Sequence, residues 1–225
     1  MPLLRRHQLA HLSAAAWHEV LQGPWDEVAL ACLQHWAHRA LPLVVTRQRS
    51  AHLHGDEPVS LGLASPACWG RRPVSLRVPC RGISWLSEFP LLRTTIGTCP
   101  REAQAPLREL DATLAAIGVR ARAYGSMGWQ QLTGEDYVHA RSDLDLWLAV
   151  DSVAQADAAV AALQACATPT RLDGELMFPD GAAVAWREWA AWRAGRCSQV
   201  LVKRLDGSAL ASDAEALVNA WLCVA

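Results

Sequence analysis

No apolar run in this 225-residue chain approaches the roughly 18 to 20 residues that a membrane-spanning helix needs, so a helical anchor is not expected. The first residues carry Arg5, Arg6, His7 and His11 among short apolar pieces, without the unbroken core of a signal peptide, and a cytoplasmic protein is the expectation. Charge of one sign is lacking too. Twenty-one Lys and Arg against 22 Asp and Glu leave a net charge of −1, so no overall field draws the chain to nucleic acid or an anionic membrane. The arginines Arg71, Arg72 and Arg77 are too sparse for a nucleic-acid-binding stripe. The seven cysteines (Cys32, Cys68, Cys80, Cys99, Cys166, Cys197 and Cys223) include no C-x-x-C pair, which argues against a zinc knuckle or redox motif and for reduced, mostly buried thiols. Of the histidines, His35 and His38 lie one helical turn apart and His52 and His54 alternate, but neither pair stands in an H-E-x-x-H context, and surface positions are expected. A G-x-S-x-G elbow, a Walker A loop and a Rossmann fingerprint are all missing, which disfavours serine hydrolases, P-loop NTPases and nicotinamide enzymes.

What is present divides in two. Residues 1–100 mix short helical and strand-like pieces broken by Gly-Pro clusters and are read as a smaller N-terminal α/β domain. Trp25 to Ala40 spaces Trp25, Val28, Ala29, Cys32, Leu33 and Trp36 as an amphipathic helix, and Leu43 to Val45 and Val74 to Val78 read as strands. The cluster from Gly97 to Pro106 suggests a boundary near residue 100, followed by a helix from Leu107 to Ile117 that Gly118 stops.

Residues 101–225 read as an α+β domain: a mixed sheet with flanking helices. Strands are expected over Val119 to Tyr124, Leu144 to Val150, Arg171 to Phe178, Ala183 to Trp189 and Val200 to Lys203. Helices are expected over Ser126 to Leu132, from Val153 through Leu163, and over Asp213 to Leu222 with Ser212 as N-cap. Pro179-Asp180-Gly181 supplies a hairpin turn.

The chemistry-bearing residues lie in this second half. A strand running through Gly125-Ser126 into a helix places backbone amides and a small hydroxyl where a phosphate can be cradled. Alone, that dipeptide is ordinary turn chemistry. Ser142-Asp143-Leu144-Asp145-Leu146 adds a second signal, because Asp143 and Asp145 face one side of a strand, roughly 6.6 Å apart, while Leu144 and Leu146 face the other. Like charges on one strand face repel, and a hard divalent cation such as Mg2+, with Mn2+ as a substitute, resolves the repulsion. In Leu172-Asp173-Gly174-Glu175-Leu176, either Asp173 or Glu175 could be the third acid of a two-metal displacement. Lys203 and Arg204, ending the last expected strand, could bring positive charge to a triphosphate.

Gly125-Ser126, a spacer a few residues longer than usual, Asp143-Leu-Asp145-Leu and a later acidic strand resemble the nucleotidyltransferase superfamily that includes DNA polymerase beta and aminoglycoside nucleotidyltransferases. The longer string from Tyr124 to Val138, Tyr-Gly-Ser-Met-Gly-Trp-Gln-Gln-Leu-Thr-Gly-Glu-Asp-Tyr-Val, followed by Ser142 to Leu146, is similar to a narrower family. This is the phosphoribosyl-dephospho-CoA transferase, or holo-acyl-carrier-protein synthase, of malonate decarboxylase. The likeness extends through Arg171 to Leu176, Pro179 to Gly181, Trp186 to Glu188 and Leu201 to Lys203. It implies transfer of a prosthetic group from triphosphoribosyl-dephospho-CoA to a serine of the acyl carrier protein subunit, with release of pyrophosphate. It also implies magnesium on Asp143 and Asp145, pyrophosphate at Gly125-Ser126, and Asp173 or Glu175 activating the serine. Trp129 and Tyr137 are candidate stacking faces for the adenine of the donor that the resemblance implies. Two other readings compete: a nucleotidyltransferase using ATP or another nucleoside triphosphate, and a non-catalytic module that binds a carrier protein.

Overall fold

The computed structural model describes residues 4–50 and 56–219. His52, His54, Cys223 and the end of the expected C-terminal helix lie outside these residues. The chain forms two compact units, one of residues 1–89 with 135–137 and the other of residues 90–134 with 138–225. The division falls at Phe89/Pro90 rather than near residue 100. The Gly97 to Pro106 cluster suggested a linker, but it builds helix instead: Arg101 follows Pro100 into a helix that holds Pro106 inside it.

In the N-terminal unit, strands β1 (Leu9–Leu12), β2 (Leu43–Val45), β3 (Pro58–Ala64), β4 (Pro73–Pro79) and β5 (Ile83–Ser87) form an antiparallel sheet in the order β4-β3-β2-β1-β5. Helices α1 (Ala14–Leu21) and α2 (Glu27–His38) begin at true caps. The Ser13 hydroxyl accepts from the Ala16 amide at 3.1 Å, and the Asp26 carboxylate accepts from the Ala29 amide at 2.8 Å, each satisfying a first-turn donor the helix cannot. Alternation works as expected in β4, where Val74, Leu76 and Val78 are buried between exposed Ser75 and Arg77. On α2, Cys32, Leu33 and Trp36 face the core, but Val28 is 42% exposed.

Residues 135–137 are bound into this unit by directed polar contacts. The Tyr137 hydroxyl donates to the Ala64 carbonyl at 2.7 Å, the Ala67 amide donates to the Asp136 carbonyl at 3.0 Å, and Arg71 donates to the Tyr137 carbonyl at 2.5 Å. Glu135 receives His35 at 2.8 Å and Arg39 at 2.7 Å. His35 is therefore a half-buried structural partner rather than the surface residue expected from its spacing, whereas His38 is exposed.

The second unit contains α3 (Leu92–Thr95), α4 (Arg101–Ala116), β6 (Arg120–Tyr124), α5 (Gly125–Thr133), β7 (Leu144–Ala149), α6 (Val153–Ala165), β8 (Leu172–Met177), β9 (Ala183–Ala185), α7 (Trp186–Arg193), β10 (Val200–Lys203), β11 (Ser208–Ala211) and α8 (Ala214–Asn219). Its mixed sheet runs β11-β10-β9-β8-β7-β6, and β7 with β8 is the parallel pair, joined by the crossover helix α6. The whole molecule is thus α+β, as expected. Among the described residues, no helix is long and apolar enough to cross a membrane.

Two elements differ from expectation. Trp186 to Trp189 continue as helix α7 rather than as strand, because Trp186 and Trp189, three apart, enter the same core. Strand β11 escapes a reading by alternation because Ser208, Ala209 and Leu210 are all exposed.

One face of this sheet is dry. Leu144, Leu146 and Leu148 of β7 and Leu172 and Leu176 of β8 pack with Leu107, Leu110 and Leu114 of α4 and Ala156, Val160 and Leu163 of α6. Each such leucine contributes about 1.5–3 kcal/mol by leaving water. Alternation then fixes what the other face must carry: Asp145 and Trp147 from β7, and Asp173 and Glu175 from β8.

Tyr137 is 3% exposed, and its hydroxyl serves the carbonyl of Ala64 in a part-buried hydrogen bond. Tyr137→Phe leaves that carbonyl without its donor and is expected to cost about 1–2 kcal/mol, read as a lowered urea midpoint with an unchanged slope.

Candidate active site

Strand register brings the site together. Asp145 of β7 stands directly beside Asp173 of β8 in the parallel ladder and beside Tyr124 of β6 in the antiparallel one. Tyr124 is the last residue before α5, so the strand pairing that aligns Asp145 also delivers the start of α5 to it. Gly125 makes the turn with φ +60°, and a Cβ there would fall on the Asp145 carboxylate. Glycine is required at this position by both the backbone and the neighbouring acid. No side chain caps the start of α5, which leaves the first-turn amides of Gly125, Ser126 and their successors directed at whatever anion occupies the turn.

Asp143 lies one residue before β7. Its partner across the ladder is Arg171, whose carbonyl accepts the Leu144 amide at 2.9 Å. The Arg171 guanidinium lies 3.3 Å from Asp143 and 3.5 Å from Asp173, so one cation spans two of the carboxylates. Asp173 is further held by the Gly174 amide, which donates to its Oδ1 at 2.8 Å. Gly174 is itself forced: at φ +132°, a Cβ would strike the Leu146 backbone of the adjoining strand. A bulkier residue would push apart the two strands that carry the acids.

Burial, then the negative charges of Asp173 and Asp143, push the Asp145 carboxyl up to about 6, with Arg171 opposing and Glu175 adding to the shift. The pocket therefore resists a full set of ionised carboxylates. Asp143, Asp145 and Asp173 are hard oxygen donors of the kind that hold magnesium while leaving positions for water and phosphate. Among the described residues, no three His, Cys, Asp or Glu side chains are already drawn into a metal cage.

Other expected site residues are placed differently. Glu175 shares the face of Asp173 but is only 4% exposed and pairs with Lys203 at 2.8 Å, so that ammonium neutralises a buried carboxylate rather than standing free for a triphosphate. Arg204 pairs with Asp180 of the hairpin turn. Trp129 is 5% exposed, and Tyr137 belongs to the N-terminal unit with its phenol hydrogen-bonded and its ionisation pushed up by burial. Neither ring presents a face for adenine to stack on. Arg171, one residue before β8, belongs to the site although its sequence neighbourhood does not single it out. Its signal is positional: two residues before Asp173, it falls opposite Asp143 once Leu144-Asp145 and Leu172-Asp173 are aligned in parallel.

Carboxylates on adjoining strands, set against a glycine-serine helix start on a sheet whose far face is sealed by helices, are the arrangement expected of a nucleotidyltransferase-type enzyme. Residues 5–89 match the family model described as the phosphoribosyl-dephospho-CoA transferase MdcG N-terminal domain, and residues 91–214 match the corresponding C-terminal domain. The chain belongs to the phosphoribosyl-dephospho-CoA transferase family. It is 38% identical over 203 residues to the phosphoribosyl-dephospho-CoA transferase of Bradyrhizobium diazoefficiens, covering 89% of this chain and 87% of that protein. It is 39% identical over 207 residues to that of Xanthomonas campestris pv. campestris, covering 91% and 92%, and 31% identical over 188 residues to that of Pseudomonas aeruginosa, covering 72% and 87%. No solved structure matches the chain.

A carboxyl raised to about 6 keeps its proton in the folded state at pH values where the unfolded chain, with its ordinary carboxyl near 3.8, has lost it. Folding is therefore penalised progressively as pH rises from about 4 through 6. With chelator present, Asp145→Asn is expected to raise the melting temperature by about 2–4 °C at pH 7.5 and by much less at pH 4.5, measured by calorimetry. Lys203→Met acts in the opposite sense. It leaves Glu175 buried without its cation and is expected to cost about 3–5 kcal/mol in denaturant unfolding, with Glu175→Gln restoring part of the loss in the double variant.

Proposed function

We propose that this chain transfers the 2'-(5-phosphoribosyl)-3'-dephospho-CoA group from its triphosphate precursor to a serine of the malonate decarboxylase acyl carrier protein, in the cytoplasm, with release of pyrophosphate. The observation that carries this reading is the in-register Asp145 and Asp173 pair, held against the Gly125-Ser126 helix start, in a chain whose two halves both match the family.

In the proposed reaction the serine oxygen forms a bond to the α-phosphorus of the donor, and the bridging bond from that phosphorus to the β-phosphate breaks. The electron pair leaves with pyrophosphate, and the serine proton passes to a carboxylate. Asp173 is the acid we assign to that proton, because Glu175 is occupied by Lys203. The uncapped amides of α5 receive the charge that grows on the leaving pyrophosphate. Arg171, spanning Asp143 and Asp173 at 3.3 and 3.5 Å, already marks the place between the acids as one that favours positive charge. Asp143 and Asp145 would hold magnesium, or manganese in its place, which supplies positive charge to the donor phosphates when bound. The donor set fits: oxygen ligands only, two or three of them, on an open face. The N-terminal unit, with its own sheet and core, is the part we assign to positioning the carrier protein.

The test is intact-mass analysis of the carrier protein after incubation with this protein, magnesium and triphosphoribosyl-dephospho-CoA. A gain equal to the prosthetic group is expected, slowed about 10³-fold or more in Asp143→Ala and Asp145→Ala. A nucleotidyl adduct formed from ATP instead, or no adduct from either donor, overturns the reading. Magnesium is also expected to raise the melting temperature of the wild type and not that of the Asp143→Ala, Asp145→Ala double variant.

A further inference from the structure

Beside the carboxylates, between the end of α6, the loop into β8 and the first turn of α7, lies a cavity of about 460 Å³, within the usual range of small-molecule sites. Its lining includes Arg171, Arg187, Arg196, Thr168, Thr170 and Trp186, and no Asp or Glu among the described residues. In a chain of net charge −1, Arg187 and Arg196 bring two guanidinium groups to a cavity with no acid in its lining, and Arg171, shared with Asp143 and Asp173, stands at its edge. The cavity is also partly built in advance. Arg187 donates to the Leu172 carbonyl at 2.8 Å and stacks over the Trp186 ring at 4.3 Å, which holds its guanidinium in place. Trp186 is 5% exposed and packs into the core, so it gives the Arg187 guanidinium a fixed surface. The Arg196 guanidinium is exposed and makes no hydrogen bond or ion pair with any described residue.

We propose that this cavity is an anion subsite that holds the diphosphate of the donor's dephospho-CoA portion, while the donor's triphosphate end lies at Asp143, Asp145 and the start of α5. The proposal rests on the reading given under the proposed function. That donor carries phosphate at two places separated by two sugar rings, and the protein offers two anion-binding places joined by one residue. Arg171 lines the cavity and also contacts Asp143 and Asp173, so the two places begin one guanidinium apart. A concave site of this volume suits a nucleoside diphosphate and not the convex surface of a carrier protein. The hydroxyls of Thr168 and Thr170 suit ribose and phosphate oxygens.

The test uses the full-length protein and 3'-dephospho-CoA as probe, by isothermal titration calorimetry. Arg196 is chosen for substitution because it is exposed and unpartnered, so folding does not depend on it. The wild type is expected to bind the probe, Arg196→Glu to weaken binding at least about tenfold, Arg196→Lys to recover most of it, and pantetheine, which lacks the diphosphate, not to bind. In the carrier-protein assay the same Arg196→Glu change is expected to raise KM for the donor and leave kcat within about threefold. Absence of binding by the wild type at millimolar probe, or equal affinity in wild type and Arg196→Glu, overturns the subsite. Arg196-dependent binding of inorganic pyrophosphate as tight as that of the probe also overturns it, since the cavity would then be a bare pyrophosphate site. If the carrier protein gains no mass while Arg196-dependent probe binding persists, the proposed reaction fails and the cavity assignment stands.

Discussion

Two carboxylates that the fold sets side by side govern this structure. Strands lie about 4.8 Å apart, and unit charges at that separation repel by about 3 kcal/mol at an effective dielectric constant of 20. Asp145 and Asp173 accept that repulsion because the opposite faces of the same strands are committed: Leu144, Leu146 and Leu148 and their partners on β8 cannot turn to solvent without dismantling the main core. A slip of one residue in β7 would move the acids inward and the leucines outward together. The register that makes the core therefore makes the site, and the unfavourable electrostatics follow from favourable packing.

The surroundings are fitted to this pair with little slack. Gly125 and Gly174 are the points where a side chain would collide, one with the Asp145 carboxylate and the other with the backbone beneath it. Positive charge is distributed locally, acid by acid: Arg171 to Asp143 and Asp173, Lys203 to buried Glu175, Arg204 to the hairpin's Asp180. The near-neutral total charge thus conceals a second unit in which almost every ionised group near the sheet has a designated neighbour. Arg196, at the rim of the cavity, departs from that pattern.

Much of the second unit was legible from sequence because its signals are local. The strands now seen as β6, β7, β8 and β10 were expected near their observed bounds, alternation set Asp173 and Glu175 of β8 on one face, and the D-x-D pair falls where a strand face must be polar. Less legible features depend on contacts between distant segments. The roles of Glu175 and Lys203 look interchangeable with catalytic ones until β10 is placed within reach of β8, and Arg171 looks solvated until parallel register sets it opposite Asp143. Tyr137, in a polar run between α5 and β7, looked like a ligand aromatic because nothing in its own neighbourhood shows that Ala64 waits for its hydroxyl. Proline misled in the other direction: Pro106 suggested a break but sits inside α4, in its second turn.

The parallel pairing of β7 with β8 has a consequence for the life of the chain before it is folded. Antiparallel neighbours can form as hairpins while a chain is still emerging, but parallel neighbours wait for the intervening crossover to close, here through all of α6. Asp145 and Asp173 are strangers to one another until that late step. A nascent or partly unfolded copy, however rich in native helix, has no paired acids: the site arrives with topological closure.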